Sequence, residues 1–301
     1  MNMVLTLVVN PNNSDILNKA IALSQELLNN HYNINDIDHS ILSEDEAIDL
    51  AFEVNEGDGP SIKSTLTETL SSYPIDWALQ NTADRKKKLL LADMDSTMIT
   101  VECIDELADF ASLKDKVSAI TEAAMRGELD FQDALRERVA LLKGLNTDVL
   151  DRCFAERITV SDGAETALST MSGAGAYSAL VSGGFTFFTE KVANKLGFSM
   201  HRANILGIND STLTGEVIPP ICDASTKEET LKELQSQQNL SVSDIIAVGD
   251  GANDIPMLNA AGLGVAYKAK PVAQEAADAC INHTSLETLL FFQGFTRSSF
   301  K

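Results

Sequence analysis

Apolar positions change their spacing several times along this chain, and each change marks an element. Residues 3–9 form a β-rich run stopped by Asn10-Pro11-Asn12-Asn13, after which Asn13 or Ser14 can cap a helix reaching about residue 29. Ile21, Leu23, Leu27 and Leu28 give that helix an apolar stripe. Strands are expected at 34–42 and 47–54, then a Gly/Pro turn at 57–60, a helix over 62–70 and a strand at 76–80. The order β-α-β-β-α-β is that of a ferredoxin-like α+β unit. After residue 85 the pattern differs. Short apolar runs at 88–92, 176–181, 245–248 and 263–266 each end in a polar or glycine-rich turn and are separated by helical spacing. Such alternation predicts an α/β, Rossmann-like parallel sheet covered on both faces. Between the first two runs lies a long helical stretch at 102–154, with its 3.6-residue repeat strongest over 130–144. An insertion there sits above the strand ends as a cap.

Charge sharpens the division. The chain carries −21, from 23 basic and 44 acidic residues among 301. Residues 1–84 hold two basic residues (Lys19, Lys63) against 14 acidic ones, about −12 of that total. The cluster Asp84-Arg85-Lys86-Lys87-Lys88 breaks the acidic run just before an apolar one. We therefore divide the chain into 1–84 and 85–301, with the cap insertion at about 102–158. A surface this negative repels nucleic acid and anionic membranes, so neither is an expected partner. It also demands a local positive site for any anionic substrate. Four scattered cysteines (Cys103, Cys153, Cys222, Cys280) form no CxxC pair, and no apolar run reaches the ~20 residues that span a bilayer. The N-terminus lacks a basic, cleavable leader pattern. These features point to a soluble cytoplasmic protein.

Open parallel sheets bind ligands beyond the carboxyl ends of their strands, and four polar clusters fall at or near such ends. The first is Asp93-Met94-Asp95-Ser96-Thr97. Continued as a strand, it would put Asp93 and Asp95 on one face, where a hard dication with oxygen ligands would relieve their repulsion. Turn or N-cap aspartates are the bland alternative; an EF-hand loop is excluded because Met98 stands where it needs glycine. The second, Gly249-Asp250-Gly251-Ala252-Asn253-Asp254, offers further carboxylates, although Asn253 or Asp254 could simply cap a helix. Its Gly249-x-Gly251 lacks the third glycine of a dinucleotide loop. The third, Ser182-Gly183-Gly184, precedes a helix expected at 185–196 and suits an anion, with an ordinary N-cap as the alternative for Ser182. The fourth is Lys227, by itself an unremarkable surface lysine. Convergence of all four raises each.

Taken together, DMDST, SGG, the lysine and GDGAND resemble the haloacid dehalogenase (HAD) superfamily, and in order and spacing its phosphoserine phosphatase family, over residues 88 to about 292. The resemblance implies a HAD-like sheet with a helical cap and Mg²⁺-dependent hydrolysis of a small-molecule substrate, phosphoserine, in serine biosynthesis. It implies Asp93 as nucleophile and Asp95 as general acid and base, with Asp95 also offering its backbone carbonyl to Mg²⁺. Asp250 matches the metal-ligand position, Asp254 supports the metal site, Ser182, Gly183 and Lys227 match phosphate binders, and Asn253 lies close to substrate. The stretch from Glu122 to Arg138 resembles the cap of that family. By that resemblance Glu102 pairs with the substrate ammonium, Arg138 binds its carboxylate, and Met125 and Phe131 close the pocket. Arg126, Arg136, Arg138 and Lys143 would supply the missing positive field. Without the resemblance, Glu102 and Arg138 read as a solvated helix face. The competing functions are a phosphatase or phosphotransferase for another small ester, and a catalytically silent binding protein. Residues 1–84 resemble small regulatory domains of the ACT type. Serine sensing, dimerisation as a homodimer and a purely structural role all stay open for them.

Overall fold

The computed structural model describes residues 1–126 and 128–301, with the side chains of Asn12 and Met125 outside the described set. The N-terminal unit runs β1 (Asn2–Val8), α1 (Ser14–Tyr32), β2 (Ile37–Ser43), β3 (Ala47–Glu53), α2 (Gly59–Leu70) and β4 (Asp76–Asn81). Its strands lie in the order β2-β3-β1-β4, all neighbours antiparallel, which is the split β-α-β arrangement of a ferredoxin-like unit. Alternate residues of β1 serve two cores. Met3, Leu5 and Leu7 pack under α1 and α2, with Leu17, Leu28, Ile62 and Leu66. Val8 belongs to the large core of the rest of the chain, which explains why the run at 3–9, interrupted by the buried Thr6, does not alternate.

The second unit begins with β5 (Leu89–Ala92), followed by α3 (Cys103–Asp109), α4 (Lys114–Met125), α5 (Phe131–Ala140) and α6 (Asp148–Arg157). Then come α7 (Ala164–Gly173), β6 (Tyr177–Phe185), α8 (Thr186–Leu196), β7 (Met200–Asn209) and β8 (Thr212–Ile218). The chain closes with α9 (Ala224–Gln237), β9 (Ile245–Gly249), α10 (Ile255–Ala260), β10 (Leu263–Tyr267), α11 (Pro271–Ala276), β11 (Ala279–Ile281) and α12 (Thr288–Phe292). Strands β11-β10-β9-β5-β6-β7 are parallel, and β8 adds an antiparallel edge. Period-two alternation sorts their side chains to opposite faces: Leu89, Leu91, Val181, Ile245 and Ala247 to one, Leu90, Ala92, Leu180, Ile246 and Val248 to the other. Burial on both faces is what makes these strands read as continuous apolar runs.

The two units share one sheet. Strand β4 pairs antiparallel with β11 through Trp77 and Cys280, giving eleven strands in all. The basic cluster after Asp84 belongs to this joint. Arg85 donates to both oxygens of Asp49 (2.5 and 2.9 Å), to Thr6 (2.9 Å) and to the carbonyls of Phe291 and Phe292. Lys87, 7% exposed, donates to the carbonyls of Asp84 and Ser243. All four cysteines are free thiols, and no described helix is long and apolar enough to cross a membrane.

Candidate active site

Strand order places the chemistry. Strands β9, β5 and β6 are neighbours, so the segments leaving their carboxyl ends, at Gly249, Ala92 and Phe185, meet above the sheet. Connections depart to opposite sides of β5, the condition for a crevice at the strand ends. Beyond Ala92 the chain does not continue as a strand. Residues Met94–Met98 coil into a turn closed by Ile99 N–H donating to Met94 O (3.0 Å), with Ser96 at φ +54°. Asp93 and Asp95 therefore face one cavity through a turn, not through strand alternation.

Asp93, Asp250 and Asp254 are buried and bring oxygens within 4.8 Å of one another. Lys227 Nζ, itself fully buried, lies 2.7 Å from Asp93 Oδ1 and 2.6 Å from Asp254 Oδ1. Burial works against the lysine's charge, but Asp254 and Asp93 outweigh it and hold its pKa above the ordinary value. Lys227 is fixed by α9, whose N-cap Asp223 accepts from the backbone of Ser225 and Thr226 while Thr226 bonds back to Asp223 N–H. Asp254 Oδ2 accepts the N–H groups of Asp250 and Gly251 (both 3.0 Å). That fold-back explains Gly249, where an added Cβ would fall 2.3 Å from Asp254 Cγ. Asp250 Oδ1 accepts from Thr97 (3.1 Å). Burial pushes the Asp250 carboxyl well up, and raises Asp93 to about 7 with Asp254 adding to the effect and Lys227 opposing it.

Three carboxylates against one ammonium leave a formal −2, and the three offer only hard oxygen donors. The ion-pair contact of Asp93 Oδ1 with Lys227 is not aligned as a hydrogen bond, so that buried oxygen has no hydrogen-bond partner. A divalent, oxygen-seeking cation fits both features.

Asp95 is held otherwise. Its Oδ1 accepts from Cys103 N–H (2.8 Å) and its Oδ2 from Ser182 Oγ (3.0 Å), while burial, outweighing these bonds, raises its pKa. Its side chain stands apart from the three-carboxylate cluster. Ser182 is no helix cap: β6 runs through Phe185, and Ser182 Oγ accepts Gly184 N–H (2.8 Å) inside the strand end. Glycine at 183 makes room for Phe131, whose Cζ would lie 2.7 Å from an added Cβ.

Helices α3, α4 and α5 roof the cavity, which is lined by Asp93, Asp95, Glu102, Phe131, Arg138, Ser182, Gly183 and Asn253, with Thr121 and Leu135 among the rest. Ser96 donates to Glu102 Oε1 (2.6 Å), and burial followed by the Asp95 charge pushes the Glu102 carboxyl up to about 8. Arg138 is 5% exposed and has no carboxylate within 4.0 Å among the described residues; burial pulls its pKa down. Of the expected site, only the Met125 side chain lies outside the described residues; its backbone ends α4. The positive field is narrower than expected. Arg126 pairs with Glu122 and Glu128, Arg136 with Asp133, and neither lines the cavity. Lys143 lies against Gly215 of β8. Arg138 and Lys227 remain. Sequence reasoning assigned no role to Thr97, Ser96, Thr121, Asp105 and Gln132; Ser96 and Thr97 lie inside the first motif and Gln132 inside the cap stretch, whereas Asp105 and Thr121 lie outside every quoted string.

A family model described as haloacid dehalogenase-like hydrolase matches residues 90–259. The phosphoserine phosphatase of Polaromonas sp. is 46% identical over 208 residues, covering 67% of this chain and 88% of that relative. A HAD family hydrolase of known structure from Salmonella enterica serovar Typhi superposes with a TM-score of 0.83 at 32% identity, covering 96% of this chain and 98% of that one. A substrate-bound phosphoserine phosphatase superposes with a TM-score of 0.65 at 40% identity, covering 68% and 97%.

Proposed function

We propose that this chain, which belongs to the haloacid dehalogenase-like hydrolases, hydrolyses O-phospho-L-serine to L-serine and phosphate through an aspartyl-phosphate on Asp93. The observation that carries the substrate is the pairing of Glu102 with an ion-unpaired, buried Arg138 over the same cavity as Asp93 and Asp95. An amino acid presents an ammonium and a carboxylate, and those two side chains complement them. Similarity to a substrate-bound phosphoserine phosphatase supports the same reading.

Residues 85–301 form the phosphatase unit, with the cap at about 102–158. Asp93 attacks phosphorus while the bond to the serine oxygen breaks, giving an acyl phosphate in place of the ester. Asp95, whose pKa burial raises, takes the role of general acid and in its protonated form donates to the leaving oxygen. Water then attacks the aspartyl-phosphate, Asp95 takes its proton, and Asp93 is regenerated as phosphate leaves. Lys227 offsets the repulsion between Asp93 and the incoming phosphate, and Ser182 with the Gly183 backbone holds its oxygens. Asn253 borders the substrate. Mg²⁺ would be held by Asp93, Asp250 and the Asp95 backbone carbonyl, where it supplies charge neutralisation of the transferring group. Both oxygens of Asp254 already accept bonds, so this residue supports the site by anchoring Lys227 and the loop at Asp250. Four free thiols suit a reduced, cytoplasmic setting.

The test is phosphate release from L-phosphoserine with Mg²⁺, beside a panel of sugar and nucleoside phosphates. Selective release, lost in Asp93→Asn, is expected. Release from other esters but not from phosphoserine would keep the chemistry and remove the substrate assignment.

A further inference from the structure

Arg138 cannot orient itself. A guanidinium has five N–H donors on a long, flexible stem, and this one must reach a substrate with its outward edge. In the structure Nε donates to Ala134 O (3.1 Å) and Nη1 to Thr121 Oγ1 (2.9 Å). Three donors are left without a protein acceptor among the described residues. Thr121 is 2% exposed and carries one hydroxyl hydrogen, with two acceptors in reach: Asp105 Oδ1 at 2.7 Å and Val117 O at 3.1 Å. The shorter, charged acceptor takes it. That choice turns a lone pair of Oγ1 toward Arg138. Asp105, 9% exposed, is fixed in turn by Ser118 on its Oδ2 (2.7 Å) and by its own N–H to Glu102 O (3.1 Å).

We infer that Thr121 and Asp105 are positioning residues for Arg138, a hydroxyl set between carboxylate and guanidinium that aims the fork and supplies counter-charge without occupying its outward donors. The inference rests on the reading of Arg138 as binder of the substrate carboxylate. A direct Asp–Arg pair would be stronger, often bidentate, and would compete with substrate for the same donors. One hydroxyl of separation avoids that competition while keeping the buried cation compensated. The arrangement also makes the start of α3 serve both ends of an amino acid: Glu102 faces the cavity, and Asp105, three residues on, faces α4 and acts on Arg138 through Thr121. Asp105 does not line the cavity, so it can affect turnover only through other residues.

The test compares O-phospho-L-serine with O-phosphoethanolamine, which keeps phosphate and ammonium but lacks the carboxylate, in the full-length protein with Mg²⁺. Thr121→Val and Asp105→Asn should each raise KM for phosphoserine, by roughly 10-fold for a lost bond to a charged group, with phosphoethanolamine changed less than about 2-fold. Thr121→Ser should restore the wild-type ratio. Equal losses on both substrates, or an unchanged phosphoserine KM in folded Asp105→Asn, would overturn the inference. A wild type that does not distinguish the two substrates would overturn it together with the carboxylate role of Arg138, and that failure is recognisable because it needs no variant.

Discussion

Glu102 occupies a cavity that stabilises substrate recognition at the expense of the free protein. Its carboxyl, ordinarily near 4.5, is pushed up to about 8 by burial and by Asp95. Between those values the folded state keeps a proton that the unfolded chain has released, so stability falls as pH rises from about 4.5 through about 8. Glu102→Gln keeps an acceptor for Ser96 and removes the titration. The variant should therefore melt higher than wild type at pH 8.5, by roughly 2–4 °C for about 1 kcal/mol, with the difference closing toward pH 5. The same variant should raise KM for phosphoserine about 10-fold. Thermal melts at both pH values together with initial rates check it; a pH-independent difference would count against a buried, ionisable Glu102. Its neighbours show how unevenly such residues can be read from sequence. Asp93, Asp95, Asp250 and Asp254 sit in strings whose spacing follows strand ends, so chemistry and fold announce them jointly. Thr121 and Asp105 carry no such mark. They lie on helical faces where a threonine or aspartate is ordinary, and only the crossing of α3, α4 and α5 brings them to Arg138.

Among elements, one of the polar contacts between the cap and the sheet domain reaches the cap residue of the helix that carries Lys227. Gln132, the residue after Phe131 in α5, donates to Asp223 Oδ2 (2.8 Å), while Asp223 Oδ1 caps the helix that carries Lys227. The two roles separate by substitution. Gln132→Ala should leave stability within about 0.5 kcal/mol of wild type yet raise KM a few-fold, because the cap loses a latch that favours closure over Gly183. Asp223→Ala should lose that latch and also about 1 kcal/mol of helix capping, read by chemical denaturation. Equal destabilisation in both variants would show that Gln132 serves the fold and not cap closure. Periodicity located α5, with Asp130 as its cap bonding to Asp133 N–H, because one apolar stripe faces the core. It did not locate the β7–β8 hairpin. Those strands lie at the sheet edge and alternate weakly, with Ile205, Ile208 and Ile218 exposed, so burial imprints no regular pattern on them. Strand β11 is three residues long and escapes for want of length.

For the molecule as a whole, the basic cluster at 85–88 read as a boundary between domains, and the structure turns it into a fastening. Arg85 lies between Asp49 of the small unit and the carbonyls ending α12, with side chains only 13% and 6% exposed. Nearby, Asp76 accepts the N–H groups of Asn282, His283 and Thr284 after β11. Arg297 reaches across to Glu46 and Glu287. Charge composition could not reveal this, because a run of Arg and Lys looks the same whether solvated or bound to buried partners. The energetic consequence is specific. A buried ion pair adds little by existing, but losing one partner strands the other at a cost of about 3–5 kcal/mol. With a shared sheet and a shared core at Val8, Ala47, Ala78 and Phe292, the two units should unfold in one calorimetric transition. Arg85→Ala should lower that transition, and residues 1–84 should become the first part lost to limited proteolysis, while kcat on phosphoserine stays near wild type below the transition. Two resolved transitions in the wild-type protein would instead mean that the small unit folds independently and moves freely. The fastening just described would then be too weak to hold it, and a sensing role by rigid-body motion would gain ground over a structural one.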